Sequence, residues 1–154
     1  MIVKKFKKKV MSLLIAICMM LGIVLPVSAA NTSDTPYRIY VNSSSSSFKK
    51  VLERDKQNNT KVYVHIEASP TKYTQTRVYG DRNTGSVFYN ETKNGLAKIL
   101  RNEESSVTNY IYENKKSNYT YVLATIGFRS NSSKTGYVEG VWSPDSTRNY
   151  TVVN

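Results

Sequence analysis

Between Lys61 and Ala68 (KVYVHIEA) the chain alternates with a period of two, placing Val62, Val64, Ile66 and Ala68 on one side and Tyr63, His65 and Glu67 on the other. Successive side chains of a β-strand point to opposite faces, so this pattern predicts a strand with one buried face. Tyr37 to Val41 alternates in the same way. Gln75 to Tyr79 and Ser86 to Asn90 flank Gly80-Asp81-Arg82-Asn83-Thr84-Gly85, whose Gly, Asn and Asp residues suit a tight turn, so the three pieces read as a hairpin. Farther on, Tyr110 to Glu113, Tyr119 to Phe128, Thr135 to Trp142 and Arg148 to Val153 are strand candidates separated by polar, turn-rich stretches. Val122, Ala124, Ile126 and Phe128 form the apolar set of the longest of them, which is expected to be a central strand carrying much of the core.

From residue 31 onward 44 of 124 residues are Ser, Thr or Asn, and all 12 tyrosines lie there. Ser and Asn side chains compete for backbone hydrogen bonds and so disfavour long helices, while Tyr and Thr suit a pleated surface. Two segments depart from the strand pattern. Phe48, Val51 and Leu52, and Leu96, Ile99 and Leu100, are spaced as on one helical face. Each is too short for more than a brief helix, and the alternative is an irregular edge strand. Ser43 to Ser47 read as a loop, with Ser47 also placed to cap a helix at Phe48. The expected fold is all-β, an antiparallel β-sandwich of about seven or eight short strands.

The first thirty residues have the three parts of a cleavable secretion signal. Lys4, Lys5, Lys7, Lys8 and Lys9 supply the positive start, Val10 to Leu25 the apolar run, and Pro26-Val27-Ser28-Ala29-Ala30 the small-residue cleavage region. Cleavage after Ala29 and after Ala30 are both open. The alternative is an uncleaved anchor, although the run of 16 residues falls just short of the ~17 to 25 that span a bilayer. Cys18 follows Ile17 and lies inside the apolar run, which does not suit lipid attachment. The expected organisation is a signal peptide over residues 1–30 and one secreted domain over 31–154, with 31–36 as a disordered lead-in. Five of the 22 basic residues leave with the signal, so 17 face 11 acidic residues, a net charge of +6, and no cysteine remains. A domain of this length can bury roughly two thirds of its unfolded surface and hold without disulfides.

Outside a cell the anionic partners for such a chain are wall polymers, acidic glycans and lipid head groups, to which a positive field raises local concentration. Nucleic acid is not expected, because basic residues are scattered among acidic ones and export separates the chain from it. His65 is the sole histidine, which with no cysteine leaves a metal site almost without ligands. No cofactor is expected. Ser69-Pro70-Thr71-Lys72, Ser47-Phe48-Lys49-Lys50 and Lys134-Thr135-Gly136 match two motifs of penicillin-binding enzymes, but Pro70 sits in a turn and the third motif is absent, so the match is attributed to composition. Glu67, Asp81, Glu91, Glu113 and Glu139 are the carboxylates that a sheet could bring together for glycan chemistry. Asp81-x-Asn83-x-Gly85 resembles part of a calcium loop that lacks its other ligands, and reads as a turn. Trp142 is expected to plug the core. Tyrosines recurring along strands either pair across the sheet or offer rings for sugars or a membrane interface. Tyr63, Tyr79, Tyr121 and Tyr137 are the expected binding surface.

Three stretches, Asn109 to Asn114, Tyr119 to Phe128 and Gly136 to Asp145 with its Gly140-Val141-Trp142, resemble the ends of small exported β-sandwich proteins of Gram-positive bacteria, some grouped with lactococcin-like bacteriocins. The resemblance covers about a third of the chain and carries no catalytic residue. It implies a secreted sandwich with a toxin or envelope-directed role. The expectation is therefore a secreted, non-enzymatic protein acting at a bacterial cell envelope, bacteriocin-like or wall-associated. The alternatives are a small carboxylate-dependent glycan-active enzyme and a structural or matrix component.

Overall fold

The computed structural model describes residues 30–42, 46–85 and 87–154. The expected leader up to Ala29, Ser43 to Ser45 of the serine run, and Ser86 lie outside the described residues; Ala30 is the first within them.

Eleven strands follow one another: β1 (Thr35–Val41), β2 (Lys49–Lys50), β3 (Arg54–Lys56), β4 (Val62–Ala68), β5 (Tyr73–Gly80), β6 (Tyr89–Asn90), β7 (Ala97–Leu100), β8 (Glu104–Val107), β9 (Val122–Ser130), β10 (Gly136–Ser143) and β11 (Thr151–Val153). The described residues contain no helix. A front sheet runs in the order β1-β10-β4-β8-β11, and a back sheet in the order β2-β9-β5-β6, with β3 also on β9 and β7 also on β5. Pairing is antiparallel except for β11 on β8, which is parallel. The fold is thus the expected β-sandwich, with more and shorter strands than the alternation alone marks.

The core lies between the sheets, where Val62, Val64 and Ile66 of β4 face Val122, Ala124, Ile126 and Phe128 of β9, all fully buried. Each such side chain contributes about 1.5–3 kcal/mol through removal from water. The Tyr37 ring of β1 stacks on Phe128 of β9 at 4.7 Å, joining the sheets. Trp142 is buried, as its sequence context predicts.

Ala68 breaks the predicted pattern and is exposed. Opposite β10, Gly140 pairs with Ile66 but Glu139 pairs with Ala68, so Glu67 is an extra residue and β4 bulges. An extra residue reverses the parity of everything beyond it, which turns Ala68 outward beside Glu139. Gly140 is required at this bulge, because a Cβ there would lie 2.0 Å from the His65 carbonyl oxygen.

Both helix-spaced segments are edge strands. Phe48 precedes β2 and Val51 follows it, its N–H donating to the Ile126 carbonyl at 3.0 Å, while Leu52 is 84% exposed. Ile99 of β7 is buried against the core. Tyr110 to Glu113 is not a strand: the chain turns there, with the Asn114 N–H donating to the Tyr110 carbonyl. Of residues 31–36, expected as a disordered lead-in, Thr35 and Pro36 open β1.

Candidate functional site

Charge is divided between the sheets. The front strands carry three glutamates, Glu67, Glu104 and Glu139, against Arg38 and a histidine, whereas the back strands carry seven Lys and Arg against the single Asp55. No Asp or Glu occurs in β2, β5, β6, β7 or β9. Strand pairing then draws their cations together. Gly127 of β9 pairs with Lys50 on one side and Arg77 on the other; one step along, Gln75 pairs with Arg129 and with Lys98.

Gly127 makes the centre of this face hollow. A Cβ there would lie 3.0 Å from a Tyr79 ring carbon and 3.1 Å from Phe48 Cβ, so the absence of a side chain makes room for both residues over the sheet. Phe48 is flanked by the guanidinium groups of Arg77 at 4.6 Å and Arg129 at 4.7 Å. Lys50 Nζ stands 4.7 Å from the Tyr79 ring and 5.1 Å from Phe88. Cations held over rings at such distances gain about 0.5–1 kcal/mol each at exposed sites and stay available to an outside anion.

The hydrogen bonds that orient these groups all use neutral acceptors. Arg77 Nε donates to the Gly95 carbonyl at 2.9 Å, Arg129 NH1 to the Ser46 carbonyl at 2.9 Å, and Arg129 Nε to Gln75 Oε1 at 2.7 Å. Among the described residues the ion pairs are Arg38 with Glu139, Lys56 with Asp145, Arg82 with Glu91, and Arg148 with Asp34, so none takes a cation of this face. Burial pushes the Tyr79 phenol up from its ordinary pKa, and the nearby Arg77 and Arg129 pull it partly back. Beside the face, between the free edges of β1 and β2, lies an open groove of about 340 Å³ lined in part by Tyr37, Lys50, Leu52 and Trp142.

The four tyrosines expected as a binding surface do not form one. Tyr63 lies on the outer side of the front sheet but is only 2% exposed, because the Tyr150 ring packs on it at 5.0 Å, Arg148 covers it at 5.3 Å and its hydroxyl donates to Glu104 Oε1 at 2.8 Å. Tyr79 is 8% exposed beneath Lys50. Tyr121 and Tyr137 are open to solvent, at 43% and 48%, but Tyr121 precedes β9 of the back sheet while Tyr137 sits on the front sheet against Arg38 and Tyr40.

The carboxylates are likewise dispersed. Glu91 is buried and accepts from Arg82 Nε at 2.5 Å and Asn114 Nδ2 at 2.6 Å; Glu139 pairs with Arg38 at 2.8 Å. Asp81 Oδ1 accepts from the Asn83 N–H at 3.0 Å, and Arg82 and Asn83 both have positive φ, so this aspartate holds the turn. Glu67 and Glu113 are exposed, and the described residues hold no group of three His, Cys, Asp or Glu suited to a metal. Ser69 Oγ meets Thr74 Oγ1 at 2.8 Å while Lys72 Nζ lies over the Tyr73 ring, so Ser69 and Lys72 form no reactive pair. Sequence reasoning missed the fully buried Lys56–Asp145 pair at 3.1 Å. The only trace of it is a lysine that falls on the inward parity of a strand.

The class defined by these features is a small two-sheet β-sandwich with a cationic aromatic back face. The chain belongs to the family described as protein of unknown function (DUF2712), which matches residues 25–146. No curated protein and no solved structure matches it.

Proposed function

We propose that this chain is a secreted, non-enzymatic binding protein that acts at a bacterial cell envelope, bacteriocin-like or wall-associated, and that it holds an anionic wall polymer, glycan or membrane surface against the back sheet. One observation carries the reading: Lys50, Arg77, Lys98 and Arg129 converge on a face whose strands β2, β5, β6, β7 and β9 contain no carboxylate. A repeating anion meets such a face as a row of charges, at about 1 kcal/mol for each Lys or Arg near an anionic surface, and salt screens the attraction. The half-buried rings of Phe48 and Phe88 offer the apolar complement that sugar rings or acyl chains need. The lysine-rich leader supports export, and the resemblance to Gram-positive secreted proteins supports the choice of envelope.

The test is retention of the purified protein on Gram-positive cell walls, and on vesicles with and without anionic lipid, across a salt series, with viability of the cells recorded beside it. Retention should fall steeply with salt, and the variant Lys50→Gln/Lys98→Gln should flatten that fall while a charge-matched Lys116→Gln/Lys134→Gln control does not. Salt-independent retention, or equal loss in both variants, would refute the assignment of the face. Retention without killing selects the wall-associated form of the proposal, and killing the bacteriocin-like form.

A further inference from the structure

Asn31 is held at every polar group it has. Its backbone N donates to Asp145 Oδ2 at 3.0 Å, its carbonyl accepts from Ser143 Oγ at 2.8 Å, its Nδ2 donates to the Asp55 carbonyl at 3.0 Å, and its Oδ1 accepts from Arg54 NH2 at 2.5 Å. Ala30, one residue earlier, contributes one bond, its carbonyl accepting from the Thr32 N–H at 2.9 Å. Among the described residues Asn31 is thus held by more bonds than Ala30, and it stands immediately after the small residues where a signal would be cut.

The carboxylate under the Asn31 nitrogen is fully buried. Asp145 Oδ1 takes the Lys56 ammonium at 3.1 Å, and Oδ2 takes the Gln57 N–H at 2.9 Å as well as Asn31. Lys56 also donates to the carbonyls of Thr60 at 2.6 Å and Pro144 at 2.7 Å. Arg54 lies in the field of Asp34, Asp55 and Asp145, and Arg148 pairs with Asp34 at 3.1 Å.

We propose that signal peptidase hydrolyses the Ala30–Asn31 peptide bond and that the α-ammonium group this creates at Asn31 docks on Asp145 Oδ2 as a buried ion pair. Water adds its hydroxyl to the Ala30 carbonyl carbon, the C–N bond breaks, and the nitrogen takes the other hydrogen. The proton of the new Ala30 carboxyl passes through solvent to the Asn31 amine, leaving a carboxylate on the departing leader and an ammonium on the retained chain. The N to O distance of 3.0 Å suits an amide or an ammonium donor equally, so the fold accepts the new charge without moving. The amide already makes a charge-assisted bond to the Asp145 carboxylate, and an ammonium in its place adds the direct attraction of opposite charges, so cleavage would tighten the fold that it releases. All eleven strands lie between Thr35 and Val153, and a chain starting at Asn31 keeps every one.

Mass spectrometry of the protein collected from culture medium tests the cleavage, with Asn31 expected as first residue; a first residue at Ala30 or elsewhere, or an uncut chain, overturns the proposal. The docking is tested on two chains released from a fusion so that one begins at Asn31 and the other at Ala30. The Asn31 amine should react with an acylating reagent near neutral pH about tenfold more slowly than the Ala30 amine, as a bond of this strength implies. Its chain should also melt higher, by about 4 °C. Asp145→Asn in the Asn31 chain should restore fast acylation if that variant folds. Equal amine reactivity and equal melting of the two starting chains overturn the docking whether or not it does.

Discussion

Both outer faces of this sandwich set arginine beside aromatic rings, to opposite ends. On the front sheet Arg38 lies between Glu139 at 2.8 Å and the Tyr137 ring at 4.1 Å, and Tyr63 is roofed by Tyr150 and Arg148. On the back sheet the cations rest on rings and neutral carbonyls, so their fields extend outward. An aromatic residue beside an arginine is thus no sign of a site by itself. What separates the faces is whether a carboxylate is within reach.

The comparison breaks most severely at the glycines. Gly140→Ala drives a Cβ into the His65 carbonyl at 2.0 Å, and the backbone of β4 or β10 must move; a loss of about 4 kcal/mol or more in urea unfolding is expected. Gly127→Ala meets only side chains, at 3.0 and 3.1 Å, and should cost about 1–3 kcal/mol while displacing Phe48 or Tyr79 and weakening wall retention. A Gly127→Ala protein that is as stable as the parent and binds walls equally would remove the hollow from the account.

Alkaline titration separates the faces next. Tyr37 and Tyr63 are both pushed well above the ordinary tyrosine pKa, first by burial, with Glu67 and Glu104 respectively adding to it. A phenol whose folded pKa is raised contributes stability that is whole below its unfolded pKa of about 10 and is lost as pH climbs past it. Stability should therefore fall above about pH 10, and Tyr37→Phe, which keeps the stack on Phe128, should reduce that fall. Ultraviolet difference spectra should show Tyr37 and Tyr63 ionising only well above the ordinary tyrosine range. The smallest effect is expected of Glu139→Gln: its exposed pair with Arg38 should change stability by less than about 1 kcal/mol. It should leave back-face binding unaltered.

The fold was legible where burial follows simple alternation. Val62, Val64 and Ile66, and the four core residues of β9, could be assigned from periodicity because each strand has one inward face. β8 was not legible, because its buried positions include Ser105 and Ser106, residues that read as loop until Val64 and Tyr63 are seen to pair with them. Tyr110 to Glu113 has the composition of a strand, yet Ile111 is drawn out of it to fill the space above Gly80, where a Cβ would meet its Cγ2 at 2.8 Å. The cationic face was illegible for a different reason. Lys50, Arg77, Lys98 and Arg129 come from four strands far apart in the chain, and only sheet pairing brings them to one face. Tyrosine frequency, the signal that was available, marked Tyr63 and Tyr79, which the fold covers.

The pairing of Thr35 with Trp142 and of Val41 with Gly136 joins the first strand to the next to last, and β10 is the sole sheet neighbour of β1. Such a ladder cannot form until residues 136–142 are available, so a chain still emerging from any narrow exit, the ribosome included, holds its first strand without its sheet partner. Closure of the front sheet is thereby deferred until nearly all of the described chain is free to fold.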